Sequence, residues 1–246
     1  MKKYDRRYFA DHRDEALASA RVLVPHLLAL VRPRSVVDVG CGVGAWLSVF
    51  GEHGVRDVLG VDGDHVPRDQ LMIPPSAFRA GDLSAPLRLD RTFDLALSLE
   101  VAEHLPAGSA ETLLDTLAGP APVVVFSAAI PMQGGTGHVN EQWQSHWAGL
   151  FSNRGFVAVD AVRPAVWDDP RVAWWYRQNT VVYVREDRLG AYPALEAARG
   201  RTSERMLDLV HPSLLERRNR RPMRPLPPAA VMRSWIRAGR RAVRGT

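Results

Sequence analysis

Hydrophobic positions along this chain change their period repeatedly. From Asp11 to Leu30, apolar residues at Leu17, Val24, Leu27 and Leu28, continued by Val31, keep the three-to-four spacing of one helix face, and Pro33 ends the run. Short apolar runs then alternate with helix-like ones. Strands are predicted at Ser35–Val39, Asp57–Val61, Ala77–Ala80, Phe93–Leu97, Pro122–Ser127, Phe156–Val162 and Thr180–Val184. Helices are predicted at Ala45–His53, Gly108–Leu117 and Glu141–Phe151, the last with Trp143, Trp147, Leu150 and Phe151 on one face. Pro67, Pro74 and Pro75 forbid a long helix after the second strand. Strands alternating with helices imply an α/β fold around a mostly parallel sheet with right-handed crossovers. The last two strands break the rhythm. Between them lie Pro164, Trp167, Pro170, Trp174 and Trp175, with no helical period.

One stretch carries chemistry at once. Val36-Val37-Asp38-Val39 runs into Gly40-Cys41-Gly42-Val43-Gly44-Ala45-Trp46, a strand, a glycine turn and a helix start. Glycines let backbone approach a nucleotide-like ligand, and the helix start offers unpaired N–H donors. Gly40-x-Gly42-x-x-Ala45 fits the loose dinucleotide pattern. Asp38 points elsewhere, because an acid at a strand tip needs a cationic or polar partner. The ammonium group of S-adenosylmethionine (SAM) is such a partner.

Composition bounds the rest. The 246 residues, 46% hydrophobic, suit one domain with appendages. The single cysteine, Cys41, leaves no internal disulfide and fits a reducing, cytoplasmic setting. Neither a signal peptide nor a membrane span is evident, and the most apolar run, Val123–Ile130, is short. The net charge of +5 is divided unevenly: residues 217–246 hold ten arginines and no acid, so the remainder sums to −5, from 22 basic and 27 acidic residues. Binding of nucleic acid by the main domain is therefore not expected, and the basic character belongs to the tail. Within it, Ala229–Arg244 sets Val231, Met232, Trp235, Ile236 and Val243 against five arginines, a basic amphipathic helix suited to peripheral contact with an anionic membrane or an acidic partner. A solubilising extension is the plainer alternative.

With Asp38 followed by Gly40, Gly42 and Gly44, the chain resembles the class I SAM-dependent methyltransferases. The resemblance implies a Rossmann-like, seven-stranded sheet with an antiparallel last strand, helices on both faces and three layers. It divides the chain into an N-terminal helical cap (1–34), a SAM-binding domain (35–185) and a C-terminal extension (186–246). It also implies that the loop from Asp38 through Cys41 to Trp46 lines the cofactor. Asp62, 22 residues beyond Gly40 and followed by Gly63, would accept the ribose hydroxyls. Asp82 would read the adenine amino group, with the Leu83 N–H on a ring nitrogen.

The segment Ser98-Leu99-Glu100-Val101-Ala102-Glu103-His104 is similar to the small-molecule branch, including ubiquinone-biosynthesis O-methyltransferases, where Ser98, Leu99 and Glu100 would line the methionine portion. Glu103 and His104 are read chiefly as a structural turn beneath the cofactor. No Asn/Asp-Pro-Pro-Tyr tetrapeptide, catechol-type metal set or Lys-Asp-Lys-Glu set is present, so no metal is expected.

The acceptor side is read from Pro131–Trp143 and Trp174–Asn179, which resemble a loosely characterised bacterial subgroup common among glycan and secondary-metabolite genes. His138 is the candidate general base, and Glu141 either orients it or helps cap the following helix, where Asn140 is the expected N-cap. Asn140, Trp143, Trp175, Tyr176, Gln178 and Asn179 are the candidate substrate contacts, the aromatics as pocket walls and the amides as partners for a polyol. Tyr4, Tyr8 and Phe9 are expected to form a lid. The expected activity is O-methylation of a sugar, a glycan precursor or a small metabolite. The alternatives are an RNA methyltransferase anchored by its tail, a non-catalytic SAM-binding protein and an NAD-dependent oxidoreductase.

Overall fold

A computed structural model describes residues 6–220, with side chains described from residue 12 to residue 218. Tyr4, the side chains of Tyr8 and Phe9, and the amphipathic segment 229–244 lie outside the described residues.

Seven strands form one sheet: β1 (Ser35–Val39), β2 (Asp57–Asp62), β3 (Phe78–Ala80), β4 (Leu95–Leu99), β5 (Val123–Ser127), β6 (Phe156–Val159) and β7 (Val181–Arg185). Their order is β3-β2-β1-β4-β5-β7-β6. The first five are parallel, and β7 lies antiparallel between β5 and β6. The order in which the chain lays down its strands reverses between β1 and β4, which places a crevice beyond their C-terminal ends.

Alternation along the strands explains why they read as unbroken apolar runs. Leu95, Leu97, Val123, Val125, Val182 and Val184 enter one core, while Ala96, Val124, Phe126, Val181 and Tyr183 enter another. A strand covered on both faces has no polar side to show. The first core is closed by α1 (Arg6–Val31), α2 (Ala45–Glu52), α5 (Arg163–Val166), α6 (Trp174–Asn179) and α7 (Pro193–Arg199). The second is closed by α3 (Ala110–Ala118) and α4 (Gln144–Ser152). Each buried Leu or Val contributes about 1.5–3 kcal/mol. The result is the expected layered, Rossmann-like arrangement. The compact unit runs through His211, and Pro212–Thr246 forms a second unit whose described part is the helix Pro212–Arg220.

Several boundaries differ from the sequence expectation for local reasons. β4 begins at Leu95 rather than Phe93, because the Asp94 carboxylate accepts from the Arg34 and Ser35 amides at 2.7 and 3.2 Å and occupies the strand entrance. β6 stops at Val159, and β7 is shifted to Val181–Arg185. The link between them, predicted to lack helix, contains α5 and α6; Pro164 sits in the first turn of α5, where its missing N–H costs nothing.

Helix α4 starts at Gln144, not Glu141, and its N-cap is Trp143 rather than Asn140. Its Ser145 amide is satisfied instead by the Asp208 carboxylate at 2.8 Å. A tie of the same kind fixes α1: Ser19 Oγ, fully buried, donates to Glu15 O and accepts the Ala173 amide at 3.0 Å, just before α6. Ser19→Ala leaves that amide unpaired and is expected to lower stability by about 1–2 kcal/mol, measured by chemical denaturation.

Candidate active site

The C-terminal strand ends gather most of the residues singled out in the sequence. Gly40, Gly42 and Gly44 have φ of +91°, +54° and +84°, and Gly44 precedes the first turn of α2. Beside this loop Asp38 is almost fully buried, and its Oδ2 has no hydrogen-bond partner. Burial, reinforced by the nearby Asp62 carboxylate, pushes the Asp38 carboxyl up to about 8. Asp62, on the next strand tip, is tied to the glycine loop, its Oδ2 accepting the Gly42 amide at 2.7 Å and its Oδ1 the Gly63 amide at 2.6 Å. Burial raises this carboxyl too, and the two amides oppose the rise.

Other expected cofactor contacts are placed differently. The Cys41 thiol is buried against Gly60 and pushed well up by burial, a packing group rather than a nucleophile. Trp46 lies in the core with its ring edge-on to Tyr176, centroids 5.1 Å apart. Asp82 is exposed, and its Oδ1 closes a turn with the Ser84 amide and hydroxyl at 2.9 and 2.6 Å, which holds it below the usual carboxylate range. Leu83 packs partly buried on the second core. Ser98 is fully buried with an unpartnered Oγ, and Leu99 ends β4 facing the first core.

Glu100 follows at φ +56°, a left-handed conformation that costs a non-glycine residue about 1–3 kcal/mol. A buried amide network holds it there. Asn179 Nδ2 donates to Glu100 Oε1 at 3.0 Å, and Gln133 Nε2 donates to Oε2 at 3.2 Å. Gln178 Nε2 donates to both Gln133 Oε1 and Asn179 Oδ1. Gln178 and Asn179, expected to face a polyol, are thus buried and bonded within the protein. Tyr176 is buried as well, and Trp175 lies partly buried at 6.0 Å from its ring, whereas Trp143 is 38% exposed.

The loop after β5 is organised around Glu141. Its carboxylate accepts the Met132 amide at 2.7 Å and the Gly134 amide at 2.7 Å, and its Oε1 lies 2.9 Å from His138 Nδ1. Of the two roles expected for Glu141, the geometry provides the orienting one, and the helix start is too far along the chain for the capping one. Asn140 is buried and donates to Ala102 O at 3.4 Å.

Sequence reasoning missed one association. The Val139 and Asn140 amides both donate to Glu103 O, at 2.8 and 3.1 Å, and this brings the β5 loop onto the turn that follows β4. His104 and His138 then meet edge-on with centroids 4.8 Å apart. Glu103 lies fully buried between elements with neither carboxyl oxygen accepting a hydrogen bond, and burial together with Glu100 holds it well above the carboxylate range. The ligand-type residues were visible in the sequence, but the backbone bonds that join them were not.

A family model described as a methyltransferase domain matches residues 4–161. The chain belongs to this methyltransferase family. The matched region is a SAM-dependent methyltransferase domain, which sets aside the dinucleotide reading of the glycine loop. An uncharacterized methyltransferase of Mycobacteroides abscessus is 36% identical over 86 residues, and the match spans 31% of this chain and 32% of that protein. Among solved structures, DesVI of Streptomyces venezuelae superposes with a TM-score of 0.50 at 17% identity, covering 70% of this chain and 92% of DesVI. CalS10 of Micromonospora echinaspora, an amino pentose methyltransferase, gives 0.50 at 17%, covering 74% and 98%. These similarities establish the shared methyltransferase fold.

The residues present fit the cofactor: an acid with an unpartnered, buried oxygen at the tip of β1 suits a cationic ammonium, and the glycine loop leaves backbone exposed beside it. No described helix of this methyltransferase is long and apolar enough to cross a membrane.

Proposed function

We propose that this methyltransferase transfers the SAM methyl group to a hydroxyl of a sugar, a glycan precursor or a related small metabolite in the cytoplasm. Asp38 would hold the ammonium group, the loop Gly40–Gly44 and Asp62 the methionine and ribose portions, and Asp82 with Leu83 the adenine. SAM brings an activated methyl group, so the chain itself supplies alignment and a route for the acceptor proton. The observation that carries the reading is the His138–Glu141 pair, which lies on the glycine-rich loop at the strand tips with the imidazole fixed by a carboxylate at 2.9 Å. Glu141 holds the proton on Nδ1, leaving Nε2 to activate a hydroxyl. CalS10, which shares the fold, acts on an amino pentose, and this supports a sugar-like acceptor. Trp143, exposed beside this loop, would form one wall of the acceptor pocket.

The test is transfer of labelled methyl from SAM to a panel of sugars, sugar nucleotides and polyols. His138→Ala is expected to lower turnover on the acceptor so found by about 100-fold, the lower end of acid–base effects because the sulfonium needs no further activation. Calorimetry should show its SAM affinity unchanged. Near-full turnover in this variant would reject His138 as the activating group.

A further inference from the structure

We propose that Glu103, His104 and His138 form a binding site for a divalent transition-metal ion on the acceptor side of the cofactor crevice. One donor atom from each of the three lies within 4.8 Å of the other two. Two imidazoles and a carboxylate are a donor set that suits first-row divalent ions and leaves coordination positions open. Three further observations point to a ligand. Glu103 is fully buried, yet neither of its carboxyl oxygens has a well-formed hydrogen bond, its polar neighbours being the Glu100 carboxyl and the Glu103 and Ala129 amides. A buried carboxyl group so weakly partnered, beside a second acid, is costly, and a cation at this place would relieve it.

His138 is aligned in the way a metal ligand is, since its Nδ1 meets the Glu141 carboxylate at 2.9 Å, while its Nε2 lies over Gly135, where no side chain intervenes. Glu141 is in turn fixed by the Met132 and Gly134 amides, so the ring orientation is set before any ion arrives. The Glu100 carboxyl, held by Asn179 and Gln133, adjoins that of Glu103, so two buried acids share this place.

This inference deepens the proposed hydroxyl methylation and rests on it for its chemical use. An acceptor oxygen entering an open position would lose its proton to solvent more readily. The oxygen lone pair then forms the O–CH3 bond as the S–CH3 bond breaks and its electron pair stays on sulfur. His138 then activates the hydroxyl by holding the ion that binds it.

The site is tested on the full chain after dialysis against a chelator, with Co2+ as the probe. A saturable visible absorption band at one equivalent is expected, with His104→Ala weakening Co2+ binding at least about tenfold and Glu141→Gln by about 10- to 100-fold. Circular dichroism and SAM calorimetry confirm that both variants are folded. Absence of a saturable band, or equal Co2+ affinity in His104→Ala and the parent, overturns the site. Failure of the function reading looks different: Co2+ binds as described, but no hydroxyl acceptor is methylated. If the chelated protein turns over at the full rate and binds no Co2+, the metal site fails and His138 remains the base.

Discussion

Gly40→Ala should lower the stability of the protein by about 3–4 kcal/mol, far beyond the typical cost of placing alanine at a left-handed position. Two effects combine. The backbone at Gly40 has φ +91°, where an L side chain is strained. A Cβ built there would also collide with Val101 Cγ2 and lie 2.9 Å from its Cγ1 and 3.1 Å from its Cβ. Val101 is buried and β-branched, so rotation cannot clear all three atoms.

Gly54 supplies the control. It has nearly the same φ, +89°, but a Cβ there meets nothing within 4 Å, so Gly54→Ala should cost only about 1–2 kcal/mol. The difference between the two variants is the contact. Adding Val101→Ala to Gly40→Ala should recover more than about 1 kcal/mol relative to additivity, because the pair is in contact. Urea denaturation of the four proteins measures this, and simple additivity would show that Val101 does not limit this position. The glycine loop is thus constrained from the protein side as well as the ligand side: Val101, from the turn after β4, packs where a side chain at Gly40 would lie.

That duality marks where sequence reasoning reached its limit. Unbroken apolar runs such as Val123–Phe126 located the strands, because a sheet buried on both faces leaves a continuous signal. The acids at the tips of β1 and β2 followed from chain order and spacing. Hydrogen bonds between distant segments left no comparable trace. Asn140 looked like a helix cap because a small polar residue preceded an apolar stretch, but the amides of Val139 and Asn140 were already committed to Glu103 O, and the helix began three residues later than expected. Gln178 and Asn179 looked like sugar-binding amides by type alone. Their burial depends on Gln133 and Glu100, 45 and 79 residues away along the chain. Trp174–Asn179 proved helical although its six residues are too few to establish a period. The placing of Asp38 and Asp62 was legible because they sit on adjacent strand tips, whereas the residues read for the acceptor side are assembled from loops.

Asp38→Asn is expected to weaken SAM binding by an amount that grows with pH. In the free protein the Asp38 carboxyl titrates at about 8, raised by burial and by Asp62, so at neutral pH most molecules carry it protonated. An ammonium group beside Oδ2 favours the carboxylate, so binding below that pH releases a proton. The parent affinity, expressed relative to the asparagine variant, should therefore rise about tenfold per pH unit up to about 8 and level off above it. Removing one partner of a buried charged pair costs about 3–5 kcal/mol, which corresponds to roughly 1,000-fold in Kd at pH 9 and roughly 100-fold at pH 7.

Stability without SAM runs the other way. An acid whose folded pKa is raised destabilises the fold once it ionises, so the parent should lose stability as pH climbs from the ordinary carboxylate range toward about 8, while Asp38→Asn loses none through this group. Calorimetry at several pH values in two buffers of different ionisation enthalpy measures both the affinity ratio and the released proton. A Kd ratio that stays flat from pH 6 to pH 9, with no proton released by the parent, would place the ammonium group away from Asp38. The opposed trends also give a reason for an ionisable group at this tip: the free enzyme keeps the acid neutral at little cost, and the charge develops when a cation arrives to balance it.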